Sequence, residues 1–304
     1  MTHREPSFSV NVDVGNPGHF FACCGLLELA HRLWPGAEGW FDVSKPKFAI
    51  LSVDPSATLQ GLKTELSQCE ITGLYEAEHQ ERESLELKDR ELRKQGKRLP
   101  DDEESRRKEL GTLAREGRIR LGRPFNMTLD WWQTADEDTT SPKTWAGRQE
   151  IHKIARAAQN ALTNILKPED LMNHSCVMRT PREYQKNKVD QNKPVEPFYF
   201  DARRYAHSLD TGFSLDAQDA ETIACPAVEL LSLIGLQRFR PAPSSNKWGF
   251  EYLAWSRPLS PAVASVGFYC AVLPGARYSF QLRFRDDQKR YKAFGFSTHM
   301  GGPI

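Results

Sequence analysis

Phe8-Ser-Val-Asn-Val-Asp-Val14, then Gly15-Asn-Pro-Gly18, then His19-Phe-Phe-Ala-Cys-Cys-Gly-Leu-Leu-Glu-Leu-Ala-His-Arg-Leu-Trp34, decide how this chain is read. Phe8, Val10, Val12 and Val14 alternate with polar residues, the period of a half-buried strand. Pro17 between Asn16 and Gly18 combines a fixed and a permissive φ, which suits a tight turn. Phe20, Cys23, Cys24, Leu27, Ala30 and Trp34 then share one helical stripe, which Leu26, Leu29 and Leu33 widen, and Pro35-Gly36 ends the helix. A strand entering a helix through such a turn presents backbone N–H groups to an anion. It is equally an ordinary strand–helix corner of a core, and the missing Lys-Ser/Thr ending of a phosphate loop favours that reading.

Outward from this unit, Gly39–Val43 and Lys47–Val53 read as strands and Ala57–Leu66 as a short helix. Residues 76–117 differ in kind. Glu76–Lys94 and Asp101–Glu116 are dense in Glu, Lys and Arg, and Leu85, Leu92, Leu99, Leu110 and Leu113 are their regular apolar positions. The pattern predicts a charged helical hairpin projecting from the body, or a partly disordered insertion. Strands follow at Arg118–Leu121 and Phe125–Trp132, a helix from about Thr144 to Leu166, a polar basic loop over 180–196, a short strand at Phe198–Phe200 and a helix over Pro226–Leu236. Gly249–Trp255 and Ser265–Val272 suit strands, and Arg277–Arg285 with Arg290–Ser297 reads as a hairpin. Strand–helix alternation is not sustained, so the expected class is α+β: an antiparallel sheet with packed helices plus the charged hairpin. The organisation predicted is residues 1–75 as the N-terminal part of the core, 76–117 as the arm and 118–304 as the remainder with a β-rich C-terminal part.

The 304 residues carry a formal net charge of +1 and 39% hydrophobic residues, with a mean hydropathy of −0.59. No global charge points to a polyanion. No charged-then-apolar leader begins the sequence and no apolar run approaches a membrane span, which predicts a cytoplasmic protein without membrane contact. Six cysteines without a CxxC pair favour reduced core thiols. The eight histidines are scattered, and no metal-ligand spacing or cofactor fingerprint is present. Cys23 or Cys24 with His19, and Ser208 with His207 and Asp210, are nucleophile candidates without a catalytic signature. A non-catalytic protein without cofactor is the expectation.

Basic residues are placed unevenly. Between Arg238 and Lys292 ten bases stand against three acids, interleaved with Phe239, Trp248, Trp255, Tyr278, Phe284, Tyr291 and Phe294. Guanidinium and ammonium groups suit phosphates, and aromatic faces suit unstacked bases; solvated faces over an aromatic core explain the same composition. The residues selected as nucleic-acid contacts are Lys143, Arg148 and Lys153 around the Trp145 helix, the Arg203-Arg204 pair, Arg238, Arg240, and Arg283 with Arg285 on one strand face, with Asn16 and His19 at the opening turn. Trp132 and Trp145, beside strong apolar stripes, fit the core better than a stacking platform.

Asn16–Ala30, Leu129-Asp-Trp-Trp132, Lys143-Thr-Trp-Ala-Gly147, Asp210-Thr-Gly-Phe-Ser214 and Glu229–Pro241 together resemble a family encoded in type I-G (formerly I-U) CRISPR-Cas loci. The matching segments span most of the chain and leave out the charged arm. The resemblance implies a non-catalytic role in RNA-guided interference, as a large-subunit-like protein on target DNA or guide RNA among other effector subunits. The alternative is a protein–protein adaptor for the helicase-nuclease, working through residues 76–117 and the Leu26/Leu29/Leu33 stripe. It transfers no catalytic residue. RNA-guided systems delegate sequence reading to base pairing and leave the protein to hold backbones and dock partners.

Overall fold

The computed structural model describes residues 5–42, 44–73, 76–133, 141–145, 149–181, 193–204, 221–246, 248–270, 273–285 and 291–301. The fold is α+β, with every strand pairing antiparallel. The first strand, β1 (Phe8–Asn11), is shorter than its alternating run: Val12 donates in register to Pro46 O at 2.8 Å, but proline has no N–H to return the bond. It pairs with β3 (Lys47–Leu51), which pairs with β2 (Glu38–Asp42).

Helix α1 (Pro17–Leu33) begins earlier than the sequence suggests: Asn16 caps it, its side chain accepting from Gly18 N at 3.0 Å, and Pro17 occupies the first turn. From Pro17 to Ala30 the helix is buried all round. Leu26 and Leu29 have no exposure, so they are core and not the adaptor surface anticipated for the second stripe.

The partner of α1 is α6 (Pro226–Gly235). The two backbones approach so closely at Gly25 and Gly235 that a Cβ on Gly25 would meet Leu231 O at 2.0 Å, and one on Gly235 would meet Phe21 O at 2.1 Å. Ser232 Oγ donates to Gly18 O at 2.8 Å across the same seam. Phe20 stacks on Tyr252 at 4.3 Å and Phe41 at 5.2 Å. These rings join α1 to β2 and to β10 (Gly249–Trp255), which pairs with β11 (Gly275–Phe284). Beyond β11 lie β12 (Lys292–Phe294) and β13 (Thr298–His299), and beyond β10 lies β9 (Ala242–Pro243).

Residues 76–117 form two helices, α3 (Glu76–Lys94) and α4 (Asp101–Glu116). Arg106 grips both oxygens of Glu81 at 2.9 Å and Lys88 reaches Glu103 at 2.6 Å, which fixes an antiparallel hairpin. Leu99 and Leu110 are buried, and Arg82 pairs with Glu150 at 3.4 Å, so the hairpin is tied to the rest of the chain. α2 (Leu59–Gln68) carries a Thr58 cap. β4 (Ile71–Thr72), β5 (Ile119–Leu121) and β6 (Met127–Leu129) make a small sheet, and β7 (Cys176–Val177) pairs with β8 (Ile223–Ala224).

Three expectations are corrected. The helix predicted from Thr144 is α5 (Ile151–Ala161), with Thr144 and Trp145 in irregular chain before it. The Thr144 hydroxyl donates to Phe198 O, and Trp145 packs edge-on to Trp131 and Trp132 at 5.5 and 5.6 Å, which holds this stretch out of a helix. The strand predicted over Ser265–Val272 is helical through its described residues, in α7 (Pro261–Cys270). Pro261 starts it, and Pro261, Ala264, Ser265 and Phe268 are buried while Ala262, Val263 and Val266 are exposed. Both faces are apolar or small, which hides the helical period. Phe198–Phe200 joins no ladder, because Tyr199 adopts a left-handed φ of 64°.

Candidate nucleic-acid interface

The irregular segment from Glu196 to Arg204 connects two groups of the selected residues. Its inner side closes on the opening turn. Asn16 Nδ2 donates to Asp201 Oδ1 at 2.8 Å, and Asn16 Oδ1 accepts from Ala202 N at 3.1 Å as well as from Gly18 N. Arg203 clamps Asp201 through Nε and Nη2, at 2.9 Å to Oδ1 and 2.7 Å to Oδ2, and reaches Asn173 Oδ1 and Met172 O. Glu229, wholly buried on α6, accepts from Phe200 N and Asp201 N at 3.3 Å each.

The two carboxyls divide their states. Burial, then the Asp201 charge, pushes Glu229 up to about 8. Burial also raises Asp201, but the hydrogen bonds and charge of Arg203 outweigh it and hold that carboxyl below its ordinary range. The proton of the pair therefore sits on Glu229. His19 Nδ1 accepts from Asp13 N at 3.1 Å, so Nε2 carries the imidazole proton. Burial, then the Arg203 charge, pushes His19 down to about 4, against the pull of Asp201 and Asp13. Asn16 and His19 are thus buried, and both are used to fasten the turn.

The Cys23 and Cys24 thiols are fully buried and burial raises both well above the ordinary range, so neither is a poised thiolate beside His19. Cys69 and Cys225 are buried and Cys176 partly so, all five with free thiols. Among the described residues no group of three or more His, Cys, Asp or Glu is placed to hold a metal ion.

The other side of the same segment carries Tyr199, which is buried at 4% exposure. Its phenol donates to Glu196, and its backbone conformation, at a cost of about 1–3 kcal/mol, turns the ring beneath Arg285. The Arg285 guanidinium lies 3.5 Å from the Tyr199 centroid and 5.8 Å from that of Tyr291, with Glu196 Oε2 at 3.5 Å. On the paired strand, Lys292 stands opposite Phe284 and its ammonium is 4.6 Å from the Trp248 centroid. Trp248 meets Phe284 edge-on at 5.4 Å. Lys143 Nζ is 5.5 Å from the Trp145 centroid. Burial, then the Lys143 charge, lowers Lys292, so the two ammonium groups feel each other. Three cations and four aromatic rings thus gather around one stretch of β11, β12 and the 196–204 segment.

The remaining selected residues lie elsewhere or are differently engaged. Arg283 is exposed, its chain lying over Gly295. Arg204 reaches the Ser175 hydroxyl. Lys153 pairs with Glu150 at 3.1 Å. Arg238 is bound to Glu28 with Nε at 2.6 Å, and Arg240 is partly buried. Trp132 and Trp145 are core residues at 5% and 6% exposure. Arg148, Ser208, His207 and the 210–214 segment lie outside the described residues, as does most of the 180–196 loop.

Sequence reasoning passed over Asp201, Glu229, Glu196 and Tyr199 as functional groups. Glu229 had a visible signal: it is the one charged residue in the helix PAVELLSLIG, and a buried lone carboxyl needs partners. No family model, curated protein or solved structure matches the chain significantly.

Proposed function

We propose that this chain is a non-catalytic subunit of a type I-G CRISPR RNA-guided interference complex, holding the backbone of guide RNA or target DNA. The observation that carries the reading is the convergence of Lys143, Arg285 and Lys292 on the rings of Trp145, Tyr199, Tyr291 and Trp248. Cations ordered against aromatic rings suit the phosphates of a strand, the buried Trp145 and Tyr199 rings serving as supports for the cations and not as stacking platforms. Arg283, exposed one residue from Phe284, extends the basic surface along β11. A near-neutral chain with local basic ground suits a subunit whose partners supply the rest of a nucleic-acid channel.

The test is a salt-titrated binding assay with guide RNA, target duplex and single strand. The expected result is an affinity that falls linearly in log–log form with salt, and a shallower slope, by roughly one to two, for Lys292→Ala/Arg283→Ala. Binding by that variant identical to wild type at every salt concentration overturns the assignment.

The adaptor reading draws on a different observation, the interhelical ion-pair ladder of α3 and α4, which builds an ordered charged hairpin. Capture of the locus-encoded helicase-nuclease that depends on residues 76–117, in a chain without nucleic-acid affinity, supports that reading over the first.

A further inference from the structure

Between the second half of α1, the turn before β6 and the residues after α6 lies a polar cleft of about 470 Å³. At its base is Glu28, 4% exposed, in a helix that is otherwise buried and apolar around it. Glu28 Oε1 accepts from Arg32 Nε at 2.9 Å and Arg238 Nη2 at 3.2 Å, and Oε2 accepts from Arg238 Nε at 2.6 Å. Burial raises this carboxyl, but the hydrogen bonds and charges of Arg238 and Arg32 outweigh it and keep it ionised.

One carboxylate thus orders two guanidinium groups by their Nε edges. Arg32 spends Nη1 on Phe125 O at 3.0 Å and Asn126 O at 3.4 Å. Arg32 Nη2 and Arg238 Nη1 make no hydrogen bond among the described residues, and these side chains stay 32% and 39% exposed. Asn126, Thr128 and Gln237 complete the walls. Gln237 is committed elsewhere: its Oε1 accepts from Asp130 N at 2.9 Å and Trp131 N at 3.1 Å, and its Nε2 donates to Asp130 Oδ1 at 2.9 Å. Asp130 in turn faces Arg118 at 3.6 Å. Carbonyls of the two flanking helices are taken as well, Ala30 O by Trp34 N and Gly235 O by Phe239 N. The balance is two full positive charges against one saturated carboxylate, with unspent guanidinium donors on two partly exposed residues that line the cleft.

We propose that this cleft binds the oxyanion of a phosphate group, with Arg32 and Arg238 as the two donors and Glu28 as the residue that positions them. Paired, pre-ordered guanidinium forks match the geometry of phosphate oxygens, and an ammonium does not reproduce the fork. The inference goes beyond the nucleic-acid reading and stands on the cleft's own chemistry. The phosphate is either a diester within a strand or a terminal group.

The probe is inorganic phosphate, titrated into the full chain while the arginine Nε–H resonances are followed by NMR. Saturable shifts at Arg32 and Arg238 are expected, weakened at least tenfold by Arg238→Gln and by the charge-conserving, fork-breaking Arg238→Lys. Lys47→Ala, at an exposed position of β3, is expected to leave them unchanged. Competition by a dinucleotide with and without a 5′-phosphate then assigns the source: displacement by both points to a diester, by the phosphorylated one alone to a terminal phosphate. Absence of a saturable shift in wild type, or phosphate affinity equal to wild type in both Arg238→Lys and Arg32→Gln, overturns the proposal. A wild-type chain that binds phosphate in the cleft but binds neither RNA nor DNA strand refutes the nucleic-acid reading alone.

Discussion

Asn16 Nδ2 donates to Asp201 Oδ1 at 2.8 Å across a separation of 185 residues, in the interior of the protein. The same side chain caps α1 through Oδ1 and holds Ala202 N. One amide therefore fixes both the helix start and the segment that carries Tyr199. Asn16→Ala removes a cap and leaves a buried carboxylate short of a donor, an expected loss of about 2–4 kcal/mol in urea denaturation. Asn16→Asp keeps the cap acceptor but sets a second carboxylate beside Asp201 and cannot donate to it. It is expected to destabilise more near neutral pH than in acid, where protonation relieves the repulsion. A variant as stable as wild type in either position contradicts the role given to this amide.

The local elements were legible where one face is apolar and the other is not, or where the run is continuous and capped. The α1 stripe, the Pro226–Leu236 helix, the Gly249–Trp255 strand and both arm helices are examples. The reading failed where tertiary contacts override period. Val263 and Val266 give α7 an apolar exposed face, and the Trp131–Trp132–Trp145 cluster keeps Trp145 out of a helix. The basic residues were legible as composition, but not their commitments. Arg203 is held by Asp201, and Arg238 is positioned by Glu28 through Nε and Nη2. Such long-range pairs leave no local pattern, and only a carboxylate set among apolar helix neighbours, Glu28 in α1 and Glu229 in α6, hints that a partner must exist.

Stability should peak near pH 6.5. The His19 and His152 imidazoles are pushed down to about 4 by burial. Between about 6.5 and 4 the unfolded chain binds protons that the folded one refuses, so stability is lost as pH falls through that window. The loss is on the order of 3 kcal/mol for each histidine. Glu229 acts oppositely. Its folded carboxyl stays protonated up to about 8, while the unfolded one ionises from about 4.5, so stability is lost as pH rises between those values. Glu229→Gln removes the titrating group in nearly the same shape. Melting temperatures between pH 6.5 and 8 should then stay flat for the variant and decline for wild type; a parallel decline in both would mean that Glu229 is ionised in the folded protein.

Gly25 and Gly235 set the distance between α1 and α6. A methyl at either would sit about 2 Å from a carbonyl oxygen, Leu231 O in one case and Phe21 O in the other. Neither glycine has an unusual φ, so the requirement is proximity and not conformation. Gly235→Ala and Gly25→Ala are each expected to destabilise by about 3 kcal/mol or more, at the upper end of overpacking costs. In a helix interior, alanine would otherwise stabilise by about 1 kcal/mol. Because both act on one seam, the double variant should cost less than the summed singles. A stabilising Gly→Ala at either position, read by urea denaturation, refutes the close approach.

Arg283 and Arg285 are two residues apart on the same strand path, yet they are built for different work. Arg285 lies on Tyr199 at 3.5 Å and faces Glu196, whereas Arg283 is exposed. Removing Arg285 takes away a stacked cation and leaves Glu196 without it, an expected loss of about 1–2 kcal/mol of stability. Arg285→Ala should therefore lower both the melting temperature and strand affinity. Arg283→Ala should leave the melting temperature within experimental error and reduce the salt slope of strand binding by about one contact. Arg285→Lys separates charge from stacking: it keeps the positive charge but not the planar fork, so affinity at low salt should recover more fully than thermal stability. Equal effects of Arg283→Ala and Arg285→Ala on melting temperature would show that the Tyr199 platform does not hold Arg285 in solution.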